Sequence, residues 1–281
     1  MGFGIVAEVT DTSRGLSSPV QLFVREAGVG PGVVCIHSNA STSSQWRALM
    51  DRLAGSHRVF APDSLGAGKS PPWPADRVVG LSDEVALLEP VFAAAGAPFA
   101  LVGHSYGAAV ALVAAMARPD RVRALVVYEP TLFSLLEEET PRQAAANGIR
   151  DAAAAAAAAI EAGDPATAGE RFIDYWMGAG TWSRMPQARQ ASVAGSMANV
   201  GHWARALFAE TTPLQAFRAL EIPVLYLVGT ESPASSRGVA RLLTGVLPQV
   251  TVMKLPGLGH MGPVTHPDIV NDAIVDFMAR H

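Results

Sequence analysis

Five consecutive residues, Gly103-His104-Ser105-Tyr106-Gly107, set a serine between two glycines in the pattern G-x-S-x-G. The apolar run Phe99-Ala100-Leu101-Val102 precedes them and a helical stretch follows, so the serine falls on a sharp strand-to-helix turn. Such a turn brings backbone so close to the flanking positions that only glycine fits. It also lifts the serine oxygen above the sheet at a helix N-terminus, whose amides favour developing negative charge. A serine hydroxyl is a weak nucleophile without a base. Of the seven histidines, His260 is the candidate base. It sits in Leu255-Pro256-Gly257-Leu258-Gly259-His260-Met261, after the last predicted strand and before the final helix, at the same carboxyl edge as Ser105. His104 adjoins the serine, but the turn should point its ring away. Neither H-E-x-x-H nor CxxC occurs, so no metal site is expected. Gly68-Lys69-Ser70 is not a phosphate loop, because Asp63 stands where that motif needs its first glycine.

The elements that must position this chemistry alternate along the chain. Near-continuous apolar runs at Val33–Ile36, Arg58–Ala61, Phe99–Val102, Ala124–Tyr128, Val224–Val228 and Val250–Met253 suit strands of a parallel sheet buried on both faces. Helical patterns near 43–54, 80–95, 106–117, 235–246 and 266–280 lie between them. Segments near 3–10 and 18–25 alternate apolar and polar residues, as an antiparallel edge hairpin does. The expected fold is therefore α/β: a doubly wound, mostly parallel eight-stranded sheet. No strand is legible from about Leu132 to Leu220. That interval carries Asp151 followed by eight alanines, a strong helix former, together with three tryptophans. It reads as a helical insertion at 132–220, leaving 1–131 and 221–281 as the core domain.

Composition closes off other classes. Of 281 residues 49% are apolar and 16% charged, enough for a large core and too apolar for disorder. The 21 basic and 25 acidic residues give a net charge of −4 with no basic block, so nucleic acid is not an expected partner. No secretory signal or membrane-spanning run is seen, and the single cysteine, Cys35, forms no internal disulfide. A cytoplasmic location and no membrane association are the corresponding expectations. Oligomeric state is not legible.

With these pieces in place the chain resembles the α/β-hydrolase superfamily, in its serine-nucleophile, cap-bearing branch. The likeness rests on His37-Ser38-Asn39 with Trp46 beyond it, on Pro62-Asp63-Ser64-Leu65-Gly66-Ala67-Gly68-Lys69-Ser70 as a D-x-x-G-x-G-x-S loop, on Gly-His-Ser-Tyr-Gly, and on Pro-Gly-Leu-Gly-His-Met. It implies Ser105 as nucleophile, His260 as base and a helical cap inserted after the sixth strand. It further implies an oxyanion hole from the backbone amides of Tyr106 and Asn39, although Ser38 replaces the glycine usual in that loop. The family's acid usually follows the seventh strand. There the chain reads Gly229-Thr230-Glu231-Ser232-Pro233, with Ser232 at the acid position. Two carboxylates could substitute: Glu129, which ends the sixth strand and is the expected acid, or, as the alternative, Glu231, one residue out of register.

The resemblance then implies a cofactor-free esterase acting on a hydrophobic small molecule through an acyl-enzyme. His37, Trp176, Trp182 and Trp203 are the expected pocket residues. The same triad could instead serve a carbon–carbon bond hydrolase, a lactonase or a cofactor-free perhydrolase. A non-catalytic ligand receptor on this fold is the alternative of another class.

Overall fold

A computed structural model of the chain describes residues 20–74, 78–138 and 144–281. Its strands are β1 (Val24–Ala27), β2 (Gly32–Ile36), β3 (Arg58–Pro62), β4 (Phe99–His104), β5 (Val122–Tyr128), β6 (Val224–Gly229) and β7 (Val250–Leu255). They form one sheet in the order β1-β3-β2-β4-β5-β6-β7, with β1 antiparallel to β3 and every other pairing parallel. Each apolar run read as a strand is one, extended by a residue or more. The expected N-terminal hairpin lies mostly outside the described residues. Of its second segment only Val24 and Arg25 fall in a strand, β1, which runs on to Ala27, while residues 20–23 are not strand, so the described sheet has seven strands.

Alternation along the strands divides the core into two. Val33, Cys35, Ala100 and Val102 face one side, with α1 (Arg47–Leu53) and α12 (Pro267–Met278) packed over them. Val34, Ile36, Phe99 and Leu101 face the other, against α2 (Leu81–Leu87), α3 (Glu89–Ala95) and α4 (Tyr106–Ala117). A period of two in a strand buried on both faces produces this split. Helices on both faces make the sheet doubly wound.

Between β5 and β6 the described residues form helices and no strand: α5 (Ser134–Glu137), α6 (Ala144–Glu161), α7 (Pro165–Met177), α8 (Thr181–Arg184) and α9 (Gln187–Ala209), then a 3-10 turn at Leu214–Ala219. After β6 come α10 (Ala234–Thr244) and, beyond β7, α11 (Gly262–Thr265). Among the described residues no helix is long and apolar enough to cross a membrane.

Register places the site. β2 and β4 are neighbours, with Ile36 opposite Gly103, and β4 and β5 pair His104 with Tyr128. The chain leaves these strands at adjacent points of one sheet edge. Strand order reverses around β2, and ligands of open α/β sheets bind at such a reversal, beyond the carboxyl ends of the strands. The turn after β2, Ser105 and Glu129 are thus gathered there by topology.

Candidate active site

Ser105 caps the N-terminus of α4 with φ 57° and ψ −117°, and its backbone N–H donates to Tyr128 O at 2.9 Å. A Cβ on Gly107 would stand 2.3 Å from Ile36 O and 2.5 Å from His37 O, and one on Gly103 2.5 Å from Gly107 O. Both flanking positions are therefore closed to any side chain. The turn is strained and the two glycines are what permit it.

Ser105 Oγ lies 2.9 Å from His260 Nε2, and His260 Nδ1 lies 2.7 Å from Glu129 Oε2. A carboxylate only accepts, so the ring proton sits on Nδ1, and Nε2 is left to accept from the serine. All three residues are buried, Glu129 completely. The loop carrying His260 folds back across the end of β6: Tyr128 Oη donates to Gly259 O at 2.7 Å and Glu231 N–H to Leu258 O at 2.9 Å.

Glu129 Oε1 accepts from Gly229 N–H at 2.7 Å and from the Ser232 hydroxyl. The serine at the customary acid position thus hydrogen-bonds the carboxylate that reaches in from β5. Glu231, the other candidate, bonds the His260 loop only through its backbone; its side chain is exposed and accepts from Thr230 Oγ1 at 3.3 Å. One residue of register along an extended segment turns a side chain to the opposite face, and Glu231 is turned to solvent.

Tyr106 is the first residue of α4, so its N–H has no partner within the helix. Asn39 follows β2 in a turn, and its Oδ1 is buried without a hydrogen-bond partner. Ser38 has ordinary φ, and the left-handed residue of this loop is Ala40, φ 52°. The serine is instead tied down: its N–H and hydroxyl both donate to Gln45 Oε1, at 3.3 and 3.0 Å. Gln45 Nε2 donates to His104 Nδ1 at 3.2 Å, and His104 Nε2 donates to His260 O at 2.8 Å. Burial, with His260 and His37 nearby, holds the His104 imidazole well below its ordinary value. It remains the neutral tautomer that this chain of bonds requires. Gln45 and His104 thereby link the loop after β2 to the backbone of His260.

Several residues here have no signal in the sequence. Ser236 Oγ of α10 is 3.3 Å from His260 Nδ1. Glu84, buried in α2, accepts from Tyr106 Oη at 3.3 Å, and burial pushes its carboxyl up to about 8. Neither lies in a motif; only the packing of α2 and α10 onto the site reveals them. The Ser38–Gln45 pair could have been suspected from Gln45 preceding Trp46, but spacing alone does not give its partner.

Beside the site, with Asn39 and Trp176 among its lining residues, lies a cavity of about 250 Å³ walled by α6, α7 and α9. Trp176 lines it and stacks on His260, ring centroids 4.0 Å apart and planes 25° apart. The other three expected pocket residues do not line it. His37 is buried at the base of its loop; its Nδ1 donates to Ser38 O at 2.7 Å and its Nε2 accepts from Ser64 N–H at 2.9 Å. Trp182 packs over Gly169, and Trp203 packs against Tyr106 and Trp73. A tryptophan in an inserted helix serves packing as readily as lining, and apolar character alone does not separate the two. Among the described residues no cluster of three or more His, Cys, Asp or Glu could hold a metal ion.

Fold and site together define an α/β hydrolase: the family model for the alpha/beta hydrolase fold matches residues 31–267, and the chain belongs to that family. Its relatives are hydrolases. It is 28% identical over 274 residues to 2-(acetamidomethylene)succinate hydrolase of Mesorhizobium japonicum, covering 92% of each chain. It is 26% identical to the pimeloyl-[acyl-carrier protein] methyl ester esterase of Yersinia enterocolitica, covering 92% of this chain and 97% of that one. Among solved structures, an alpha/beta hydrolase from Sphaerobacter thermophilus superposes with a TM-score of 0.71 at 25% identity, over 92% of this chain and 96% of that one.

Proposed function

We propose that the protein is a serine hydrolase that cleaves an ester of a hydrophobic small molecule. Ser105 Oγ attacks the carbonyl carbon as His260 Nε2 takes its proton. Glu129 holds the imidazole tautomer and stabilises the imidazolium by charge. The oxyanion is received by the amides of Tyr106 and Asn39, each such donor being worth about 3 kcal/mol. His260 returns the proton to the departing alcohol. Water then loses a proton to the same nitrogen, attacks the acyl-enzyme, and releases the acid with Ser105 restored. No cofactor takes part. In this reading 132–220 acts as a cap over a core of 1–131 and 221–281.

The observation that carries the reading is the unbroken relay from Ser105 through His260 to Glu129, at 2.9 and 2.7 Å. Left-handed φ supports it. The only non-glycine residues with φ above zero among the described ones are Ala40, Ser105 and Glu129, all at this site. Strain of about 1–3 kcal/mol each persists where surrounding structure over-determines it, and it gathers at functional sites.

The test is a panel of p-nitrophenyl esters and lactones assayed with wild type and Ser105→Ala. Turnover by wild type, with loss of about 10⁴-fold or more in the variant, is expected. Ester turnover retained by Ser105→Ala would overturn the reading.

A further inference from the structure

The eight-alanine run has a role that helix formation alone does not explain. In α6 the residues Ile149, Ala152, Ala153, Ala156, Ala157 and Ile160 line the cavity beside the site. Their spacing of three and four marks one helix face. Ala154, Ala155 and Ala158 lie on the exposed face. Opposite the alanines stand Phe172 and Trp176 of α7 and Phe208 of α9, with Phe133 from the turn into α5. The chamber therefore owes its volume to methyl groups where larger side chains would close it. Its contact with the candidate site runs through Trp176, stacked on His260, and through Asn39, whose Oδ1 is a buried polar atom without a partner. Its charged lining residues are Glu161 and Arg205, both exposed at the mouth, and the Arg205 guanidinium already donates to His202 Nδ1 at 2.9 Å.

We infer that this chamber receives the uncharged, straight-chain acyl portion of the substrate, and that the alanine face of α6 sets how long that chain can be. The inference rests on the serine-hydrolase reading for the identity of the site, but its binding step can be measured without turnover. The flat methyl surface of α6 on one wall suits an unbranched chain lying along it. A chain ending in a carboxylate would bury that charge among apolar groups, since charge is met only at the solvated mouth.

The experiment uses octanamide, a stable amide, bound to the full chain carrying Ser105→Ala and followed by quenching of tryptophan fluorescence. A second background adds Ala153→Leu and Ala156→Leu. Leucine is nearly as good a helix former as alanine, and these positions border a void, so the fold is kept. Octanamide is expected to bind about tenfold more weakly to the leucine variant, as roughly two methylenes lose burial. Ala154→Leu with Ala158→Leu, on the exposed face, should leave binding unchanged. In Ser105-intact protein the inner-face pair should lower kcat/KM for p-nitrophenyl octanoate about tenfold and spare p-nitrophenyl acetate. Equal octanamide affinity in all backgrounds, or tighter binding of its ω-carboxylate analogue, would overturn the inference. Octanamide binding that obeys the pattern, with no ester turned over by wild type, would keep the chamber and sink the hydrolase reading instead.

Discussion

Glu129 directly follows β5 with φ 47°, completely buried, and distributes its two oxygens between His260 on one side and Gly229 N–H with Ser232 on the other. A carboxylate so surrounded is held in one orientation, which a triad acid needs. Replacing it by glutamine puts an amide against Nδ1 and favours the wrong tautomer. Glu129→Gln is expected to lower kcat by about 10⁴-fold, as such a change does in other triads. Glu231→Gln, at an exposed side chain, should change kcat by no more than about twofold. The reverse ranking in steady-state kinetics would reassign the acid. Ser232→Ala removes one donor to the buried carboxylate and should cost about 1–3 kcal/mol in urea denaturation. An unchanged midpoint would show that Ser232 does not support Glu129. At this scale Ser105, His260 and Glu129, with Glu231 as the alternative acid, are legible as candidates, because each lies in a motif or at a strand end. One residue of register already favours Glu129 over Glu231 in the sequence, and in the structure Glu129 lies 2.7 Å from His260 while the Glu231 side chain is exposed.

Elements deliver these residues. β4 and α4 meet in a turn closed to side chains at Gly103 and Gly107, and α2 supports α4 from behind through Glu84 and the Tyr106 hydroxyl. Burial comes first among the causes that raise the Glu84 carboxyl from its ordinary 4.5 to about 8, Tyr106 and the Leu65 backbone opposing it by hydrogen bonds and the Asp83 charge adding to it. At neutral pH the folded chain keeps a proton on Glu84 that the unfolded chain has released. Stability from this group is thus complete below about 4.5 and is lost as pH rises towards about 8. Glu84→Gln keeps an acceptor for Tyr106 and removes the titration. Its stability relative to wild type should improve between about pH 5 and pH 8 in urea denaturation; parallel pH curves would show that Glu84 is already ionised when folded. The strands and most helices were legible from apolar runs and their punctuation. The support by Glu84 was not, since a glutamate in an amphipathic stretch gives no sign that it will be buried.

Across the whole molecule, the helical interval between β5 and β6 is tied to the core near the site. Asn199 of α9 donates to Gly66 O, His202 stacks on Trp73 with centroids 5.3 Å apart, and Tyr175 of α7 bonds Ser235 of α10 at 2.7 Å. Loss of strand pattern revealed this interval in the sequence. Its packing did not follow from composition, which is why Trp182 and Trp203 were expected in the pocket and lie outside its lining. Weakening the ties tests whether they hold the interval down. Asn199→Ala with His202→Ala should leave the main unfolding transition within about 2 kcal/mol while speeding proteolytic nicking between residues 144 and 209. First cleavage within the sheet domain would contradict this.

The central claim is that Ser105 is an activated nucleophile. Its most direct measurement is intact-mass analysis after treatment with a small alkyl fluorophosphonate, on wild type, Ser105→Ala and Glu129→Gln. The expected result is a single stoichiometric adduct on wild type, none on Ser105→Ala, and formation slowed by orders of magnitude in Glu129→Gln. No adduct on folded wild-type protein, or an adduct that persists in Ser105→Ala, would contradict it.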